Sequence, residues 1–461
     1  MERDLKWVVL IGVALAAAGC GDSNATPGAG GGGGSPGAGG AAGDGGSVGD
    51  GGAGGEDGEP GTPALSALPK MPRYAVVSTD FSSSSIAMLD ESFELIDESW
   101  LSSGTTYPGL VATLSGDVWL PTQQQSAESF SVIDRFLTDV VSQFFVPSGH
   151  LNGQQRTHGE VGSSGFSSNP QDVIFVDAHQ AWVPRYETNL DPDAAEENKG
   201  NDLYAIDPST MASTGERIDL SSLNTTELVD MPSGDVEVEV LARPSRGVLV
   251  GSTIVVGLDR ISAAFEAAGT GMVAIVDLDD ESVDGLELPG LKACARLVPI
   301  PGEPDKVAVA CTGFSRPFGV EEQIRASSGI AVLSVGDGSA SVERIWRVAD
   351  DDGAAIAVSS IVALDETRVL AVAPGNFVDT TDILYEVDLS DGSQSPVHSS
   401  SGSYTIGVSA YDADSGMLYV PDAASNAVVE LEEGDDGFSE VGSTQIAPGL
   451  GLPPAQVHLL N

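Results

Sequence analysis

Residues 107–145 contain four short strand-like runs that lie only a few residues apart, and this spacing limits how the chain can fold. The runs are residues 110–114, 118–121, 129–134 and 139–145. Their β-branched, aromatic and alternating apolar residues are typical of β-strands. Parallel neighbours would need crossover connections of about a dozen residues or more, so these strands must pair antiparallel. The stretch therefore predicts a four-stranded antiparallel meander.

The same unit recurs along the chain. One strand of each unit, interpreted as the second, is an apolar segment that ends in a small residue or proline. These segments are residues 75–78, 118–121, 181–184, 254–257, 307–310, 370–373 and 418–421. The next strand usually ends in an acid such as Asp90 or Asp134, which accepts backbone hydrogen bonds in the following turn and is therefore predicted to be structural.

Radial repetition of four-stranded antiparallel units is typical of a β-propeller. The seven units resemble the degenerate repeats of seven-bladed propellers in secreted bacterial proteins, and the resemblance covers residues 73–461. It implies an all-β fold of seven four-stranded blades, for which we take residues 69–461 as the domain. The first unit lacks an innermost strand before Tyr74, whereas residues 454–460 follow a completed seventh unit. We therefore expect the C-terminal strand to close the first blade, which removes exposed sheet edges.

The first 19 residues have the pattern of a signal peptide. Basic residues precede an apolar run, residues 7–18, that is too short to span a bilayer. The run leads into Ala17-Ala18-Gly19-Cys20, which resembles a bacterial lipobox, although leucine is commoner at the position of Ala17. The resemblance implies cleavage before Cys20 and lipid attachment to its sulfur, and several acyl chains would anchor the protein stably. Secretion with a free Cys20 is the alternative.

Residues 20–68 are predicted to be a lipidated cysteine followed by a disordered linker. The segment is rich in glycine and lacks aromatic residues, so it cannot bury enough apolar surface to fold. Its composition is similar to that of tethers in myxobacterial surface lipoproteins. Gly21 follows the cysteine, which in enteric lipoproteins favours the outer membrane. We expect a lipid-anchored protein of the cell envelope, on the periplasmic side or the surface of the outer membrane.

The charge excludes one class of partner. The chain has 20 Lys and Arg against 68 Asp and Glu, a formal net charge of −48. Such a surface repels phosphate backbones, so nucleic acid is excluded as a partner. The sequence contains no C-x-x-C, P-loop or H-E-x-x-H motif, and it identifies no catalytic residue.

Cys294 and Cys311 flank a predicted hairpin whose turn is residues 301–304. Symmetric pairing about that turn places Val298 opposite Val307 and Cys294 opposite Cys311. Directly opposed residues lie within disulfide range, and an exported protein meets oxidising conditions. A disulfide is therefore predicted. The alternatives are two buried thiols or a register slip that directs the two side chains to opposite faces.

Long connections are predicted to gather on one face of the ring. Connections from first to second strand and from third to fourth are short, whereas the others contain insertions. The insertions are residues 148–168, 187–201, 221–234, 258–269, 313–328 and 375–381. Long loops on a rigid scaffold often bind ligands, so this face is the predicted ligand site. Residues 258–268 have helical spacing and predict a short capping helix.

Five arginines are predicted to lie in or beside these long loops. They are Arg156, Arg185, Arg260, Arg316 and Arg325. In so acidic a chain, a basic cluster indicates an anionic ligand that is held by charge-assisted hydrogen bonds. The alternative is that each arginine pairs with a neighbouring acid, such as Asp259 or Glu187.

A cation site is a further candidate. Asp191, Asp193 and Glu196 supply hard oxygen ligands in one loop, which favours Ca²⁺. The loop lacks the central glycine and the terminal bidentate glutamate of an EF-hand.

These features favour a non-catalytic, lipid-anchored module that binds a small anionic ligand or an envelope protein. One alternative is a periplasmic propeller enzyme. Lactonase-like propellers gather carboxylates and asparagine around a metal, which Asn376, Asp379 and Asp382 would supply in part. Quinoprotein-like enzymes have adjacent cysteines and repeated tryptophan motifs, which this sequence lacks. By analogy with myxobacterial lipoproteins, the other alternative is an accessory lipoprotein of siderophore or metal-chelate uptake.

Overall fold

Nearly all regular structure in the described part of the chain is β-strand. The computed structural model describes residues 65–106, 110–123, 125–158, 166–229, 234–316, 320–350 and 353–461. The predicted signal peptide, Cys20 and residues 21–64 of the predicted linker lie outside these ranges. Pro63–Asn461 forms one compact unit.

The regular elements follow one another along the chain with short connections. The strands are β1 (Tyr74–Thr79), β2 (Ser84–Leu89), β3 (Leu95–Ser102), β4 (Val118–Trp119), β5 (Ser129–Asp134), β6 (Val140–Phe145), β7 (His150–Arg156), β8 (Ile174–Phe175), β9 (Ala181–Thr188), β10 (Gly200–Asp207), β11 (Ala212–Asp219), β12 (Thr225–Val229), β13 (Val236–Leu241), β14 (Pro244–Val250), β15 (Thr253–Leu258), β16 (Ile261–Ser262), β17 (Gly271–Asp277), β18 (Ser282–Leu288), β19 (Arg296–Ile300), β20 (Glu303–Cys311), β21 (Gly329–Gly336), β22 (Ser339–Trp346), β23 (Ser360–Ala363), β24 (Arg368–Ala373), β25 (Ile383–Asp388), β26 (Gln394–Ser399), β27 (Ala410–Asp412), β28 (Met417–Asp422), β29 (Ala427–Gly434), β30 (Gly437–Thr444) and β31 (Pro454–Leu459). The helix α1 (Glu321–Ser327) and two short 3₁₀ helices, Glu196–Asn198 and Ser221–Leu223, complete the described elements.

The described strands form seven antiparallel sheets of four strands. In order of pairing, sheet 1 is β31-β1-β2-β3, sheet 2 is β4 to β7, sheet 3 is β8 to β11, sheet 4 is β14-β15-β17-β18, sheet 5 is β19 to β22, sheet 6 is β23 to β26 and sheet 7 is β27 to β30. A three-stranded sheet, β12-β13-β16, is inserted between sheets 3 and 4 and within sheet 4. The predicted all-β, propeller-like class is confirmed.

The C-terminal strand β31 pairs with β1 and so belongs to the sheet that opens the domain. Val457 faces Val76 in this antiparallel pair. On its other side, the Gln456 side chain donates to the carbonyl of Val118 at 3.0 Å and accepts from the N–H of Leu120 at 3.1 Å. Both ends of the domain are therefore held in one sheet, and that sheet is also tied to sheet 2.

Both faces of the central strands are buried because each sheet packs between two others. On β20, Val307 and Val309 pack into a cluster with sheet 4. Ala308 and Ala310, which alternate with them, pack into a cluster with sheet 6. Successive side chains of a strand point to opposite faces, so a strand between two sheets is apolar at every position. This explains the unbroken apolar segments that identify the repeat.

The sequence prediction for the first meander is wrong by one strand. Residues 110–114 form no strand, Val118–Trp119 is the first strand of sheet 2, and the fourth is His150–Arg156, which the sequence analysis placed in a long loop. Every residue of β7 is only half-buried. An outermost strand is held by backbone pairing to one neighbour, so it needs no apolar alternation and leaves little sequence signal.

The folded domain also begins earlier than the predicted boundary between residues 68 and 69. Leu65 is 7% exposed and belongs to the apolar cluster of sheets 1 and 2. Its N–H donates to the carbonyl of Gly149 at 2.9 Å. At least residues 65–68 of the predicted linker therefore pack on the domain.

The predicted disulfide is present, but the predicted hairpin register is wrong. Cys294 and Cys311 are bonded, with an S–S distance of 2.10 Å. Val298 pairs with Ala308 rather than Val307.

The register shift originates at the hairpin turn. Ile300 pairs with Glu303, so only Pro301 and Gly302 form the turn, and Gly302 has a φ of +80° that suits glycine. The register then shifts between Pro299 and Ile300. Cys294 precedes β19 and its N–H donates to Leu258 of sheet 4 at 3.0 Å. The bond therefore forms outside the ladder whose register was mispredicted.

The predicted capping helix at residues 258–268 is also wrong. This segment contains β16, which pairs with β13 of the inserted sheet. The described residues contain no helix long and apolar enough to cross a bilayer.

Candidate functional site

The first strands of six of the seven sheets line a central cavity of about 290 Å³. Side chains from β4, β14, β19, β23, β27 and β31 contribute to its wall. The cavity extends along β19 from Arg296 to Pro301, which lies in the turn between first and second strands. Those turns are the short ones, so the cavity reaches the face opposite to the long loops. The prediction of a site on the long-loop face did not anticipate this cavity.

Trp119 lines this cavity, and three arginines contact its ring. On the two-residue strand β4, Val118 packs into the core between sheets 1 and 2, whereas Trp119 lines the cavity, as strand alternation requires. The guanidinium carbons of Arg135, Arg246 and Arg296 lie 4.8, 4.7 and 4.8 Å from the centre of its ring. Because all three distances are to the same ring centre, the three guanidinium groups lie close to one another. We call these four residues the Arg–Trp cluster.

Two of the three arginines have protein partners. Arg135 donates through Nε to Asp117 Oδ1 at 3.0 Å and through Nη1 to Gln171 Oε1 at 3.0 Å. Arg246 donates to the carbonyl of Leu120 at 2.8 Å, and its Nη1 lies 3.5 Å from Asp172 Oδ1. These contacts fix both side chains against the tryptophan.

Asp172 is a buried anchor for this arrangement. Its carboxylate accepts backbone N–H groups from Thr122 at 2.9 Å, Val173 at 2.8 Å and Gly247 at 3.0 Å. It therefore connects sheets 2, 3 and 4 beside Arg246. A Cβ on Gly247 would lie 2.1 Å from Ile174 Cδ1, so a larger residue at this position would displace that side chain.

The guanidinium of the third arginine, Arg296, makes no hydrogen bond or ion pair with any described residue. Burial and the charge of Arg135 lower the pKa of its guanidinium. Burial also lowers the pKa of Arg246 to about 9. The charges of Arg296 and Arg135 lower this pKa further, whereas the carboxylate of Asp172 raises it. Three cations that share one ring therefore repel one another.

Arg243 forms a second buried cation nearby. Its guanidinium lies 4.9 Å from the ring centre of Tyr186 and 4.5 Å from that of Phe265, and its Nη2 is 3.3 Å from Glu187 Oε2. Its Nε and Nη1 have no hydrogen-bond partner. Asp259 influences the pKa of both Arg243 and Arg296 but forms no ion pair with either within 4.0 Å among the described residues.

The arginines predicted from sequence do not meet in this cavity. Arg185 is fully buried, and every nitrogen of its guanidinium has a protein acceptor. Its Nε and Nη2 donate to the two Asp202 oxygens at 2.7 and 2.6 Å, and its Nη1 donates to the carbonyls of Thr157 and Glu197. The guanidinium also lies 4.6 Å from the ring centre of Tyr204. Arg185 is therefore a structural residue, as the alternative of pairing with an acid predicts.

The other four predicted arginines lie apart from the cavity wall. Arg156 donates to Thr138 O at 3.0 Å and Arg260 to Thr270 O at 3.0 Å. Arg325 pairs with Glu321 one turn away on α1. Arg316 borders a separate shallow groove beside the inserted sheet. A position after a second strand predicts the face of a residue but not its partners, and none of the five arginines lines this cavity.

The predicted calcium ligands also have other partners. Asp191 Oδ1 accepts the N–H of Asp193 at 3.0 Å, and Glu196 pairs with Arg217 at 2.8 Å. Among the described residues, no three His, Cys, Asp or Glu side chains are grouped so that they could bind a metal ion. The Ca²⁺ prediction therefore receives no support.

The residues considered for a lactonase-like metal instead shape a loop. Asp382 is buried and accepts four backbone N–H groups, from Gly375, Tyr404, Thr405 and Ile406. Asn376 Oδ1 caps the turn at residues 378–380, and its Nδ2 donates to Asp379 at 2.7 Å.

The fold of this chain is similar to the folds of several solved structures. No protein-family model matches the sequence, and no curated protein matches it. The chain is similar to the periplasmic gluconolactonase PpgL of Pseudomonas aeruginosa, with a TM-score of 0.51, 11% identity and coverage of 85% of this chain and 99% of that one. It is also similar to a protein of Lactobacillus plantarum, with a TM-score of 0.52, 12% identity and the same coverage. At these identities the likeness shows a shared fold.

The sequence analysis missed the Arg–Trp cluster. A usable signal was nevertheless present, since Arg246 and Arg296 interrupt first strands that are otherwise apolar or small. A charged residue on an inner strand must face the ring's centre or find a buried partner.

Proposed function

We propose that this protein is a seven-bladed propeller of the cell envelope that binds a small lactone in its central cavity and hydrolyses it. The observation that carries the proposal is the Arg–Trp cluster, which places an unpaired guanidinium on the wall of the cavity. The fold shared with a periplasmic gluconolactonase supports the same class of substrate and an envelope location. Seven four-stranded sheets joined by the C-terminal strand support the blade count.

The cavity's size and chemistry suit a small polar ring. Its volume of about 290 Å³ lies near the lower end of small-molecule sites. In lactone hydrolysis, water oxygen bonds to the carbonyl carbon, the ring C–O bond breaks, and the proton from water passes to the departing ring oxygen. Negative charge develops on the carbonyl oxygen, where a fixed guanidinium stabilises it most effectively. Arg296 and Arg246 would supply that charge.

His458 is the titratable base on the cavity wall. Burial and the charge of Arg246 lower its pKa to about 4, so the imidazole is neutral at pH 7. A base this weak contributes little to proton removal. We therefore assign most of the rate enhancement to the arginines.

The lactone proposal predicts a measurable rate. The purified protein should hydrolyse glucono-δ-lactone faster than buffer does, measured by acid release in a weakly buffered solution near pH 6.5. Arg296→Gln should lower kcat/KM by about 10²–10³-fold, the effect expected from loss of one donor to a developing oxyanion. Arg325→Gln, on the exposed helix α1, is the matched control and should keep full activity.

Hydrolysis no faster than in buffer, for this lactone and its phosphorylated analogue, would reject the enzymatic proposal. The second candidate is then a non-catalytic binding module for a small anion or an envelope protein. The unpaired Arg296 favours the small anion, including an anionic metal chelate of the siderophore type.

We also propose that the mature protein is lipid-anchored through Cys20 in the outer membrane, on the basis of the lipobox-like tetrapeptide. Cys20→Ser should move the protein from the membrane fraction to the soluble fraction after cell lysis and ultracentrifugation. A Ser23→Ala variant, which leaves the tetrapeptide intact, is the matched control. Membrane retention of Cys20→Ser equal to that of the control would reject the anchor.

A further inference from the structure

Arg296 is a half-buried cation that makes no ion pair with a described carboxylate. Its two neighbours over Trp119 each have one, since Arg135 pairs with Asp117 and Arg246 lies beside Asp172. Arg296 contacts the tryptophan ring and has no acceptor among the described residues. Buried charges in proteins are ordinarily paired or bound to a ligand, because desolvation without a partner is costly.

Stacking on the tryptophan does not remove this cost. A cation over an indole ring gains less than it loses by leaving water, and here two further cations contact the same ring. Burial, and after it the charges of neighbouring arginines, lower the pKa of both Arg246 and Arg296. A bound anion would reverse both effects, since an opposite charge favours the protonated guanidinium.

Two other polar atoms on the cavity wall lack partners. The Ser409 hydroxyl is on a side chain that is 5% exposed, and it makes no hydrogen bond. His458 Nε2 is also without one. Both residues line the same cavity as Arg246 and Arg296. Buried polar atoms without partners are rare, so these two beside the half-buried Arg296 indicate a polar ligand.

The charge balance favours a monoanion. Around Trp119, three guanidiniums face the carboxylates of Asp117 and Asp172, which leaves one positive charge. Asp259 is the next acid, and its pKa is raised by burial against the opposing charges of Arg296 and Arg243. It makes no ion pair within 4.0 Å with either arginine among the described residues. A planar guanidinium matches the geometry of a carboxylate, to which it can donate two parallel hydrogen bonds.

We propose that the cavity binds the carboxylate of a small hydroxy acid, with Arg296 as the anchor and Arg246 beside it. The hydroxy acid rests on the proposed lactone hydrolysis, whose product belongs to this class. The hydroxyl-bearing chain of the acid extends toward the turn at Pro301, past Ser409 and His458. Binding itself requires no turnover, so the site can be tested separately from the activity.

The test is isothermal titration calorimetry on the full chain with sodium gluconate at pH 7. Sorbitol is the matched neutral probe, because it keeps the hydroxyl chain and lacks the carboxylate. Gluconate should bind and sorbitol should not. Arg296→Gln should weaken gluconate binding about 10- to 100-fold, as expected for a lost charged hydrogen bond. Arg296→Lys, which keeps the charge without the planar fork, should give an intermediate affinity.

The Arg325→Gln control should bind gluconate like the unaltered chain, and circular dichroism should show that each variant is folded. If Arg296→Gln does not fold, the proposal is tested by the gluconate affinity of Arg296→Lys and by the difference between gluconate and sorbitol binding to the unaltered chain. Equal gluconate affinity with and without Arg296, equal binding of sorbitol, or no gluconate binding at millimolar concentration would each overturn the proposal. Tighter binding of inorganic phosphate than of gluconate would overturn the carboxylate assignment. Gluconate binding without lactone hydrolysis would leave this site standing and reject the enzymatic function.

Discussion

Removal of residues 454–461 is expected to abolish cooperative folding of the domain. The deletion takes away β31, which pairs with β1 along its length. It exposes the apolar cluster around Val457 and Tyr74 and removes Leu460 from the cluster of sheets 1 and 2. Each fully buried aliphatic side chain contributes about 1.5–3 kcal/mol, and whole domains are stable by only about 5–15 kcal/mol. The loss of one strand is therefore comparable to the total stability.

Thermal unfolding followed by circular dichroism measures this effect. A point variant tests the same contact with less disruption, because Val457→Asp places a carboxylate at a position that is 2% exposed. Val441→Asp, at a position that is 53% exposed on the outer strand β30, is the matched control and should melt like the unaltered protein. A truncated chain that melts at the full-length temperature would contradict the closure of the domain by β31.

Arg185→Met is expected to lower the free energy of unfolding by about 3 kcal/mol. Breaking a buried ion pair on one side costs about 3–5 kcal/mol, because the other charge stays buried without its partner. Asp202 keeps a second contact, with Arg217 Nε at 2.8 Å, which places the expected effect at the lower end. The carbonyls of Thr157 and Glu197 also lose their donor.

Denaturant unfolding curves of three variants separate the possible causes. Arg325→Met removes a partly exposed ion pair within α1 and should cost less than about 1 kcal/mol. The double variant Arg185→Met/Asp202→Leu should recover part of the loss, because no buried carboxylate remains at that position. Equal destabilisation by Arg185→Met and Arg325→Met would show that the buried ion pair contributes no more to the free energy of unfolding than the partly exposed one.

The described strands show which features local sequence could predict. The second-strand segments are apolar at every position because each lies between two packed sheets, and six of the seven occupy the predicted place in their sheets. The segment at Val118 does not, because the weakly patterned β7 was read as a loop and the whole unit was displaced by one strand. Outer strands carry little pattern, since they are held mainly by backbone hydrogen bonds.

The cysteine pair illustrates a limit on register. Two cysteines flanking one hairpin were enough to predict the bond, because the pairing depends on short chain separation. The exact partners were not predictable, since the turn uses two residues instead of four and a shift follows it. The length of a turn depends on its backbone angles. Pro301 and Gly302 allow a two-residue turn, but these residue types also occur in longer turns.

By itself, the sequence determined the all-β class, the antiparallel pairing, the closing strand and the disulfide. The class, the antiparallel pairing and the disulfide depend on patterns within a few residues or on short connections, whereas the closing strand followed from counting the strands of the repeated units. Only the tertiary structure decided which arginines act together. Arg135, Arg246 and Arg296 are far apart in the chain and meet at Trp119 because sheets 2, 4 and 5 place them around its ring. Arg185 was excluded from such a site by its cross-strand neighbour Asp202, a pairing that no local spacing specifies.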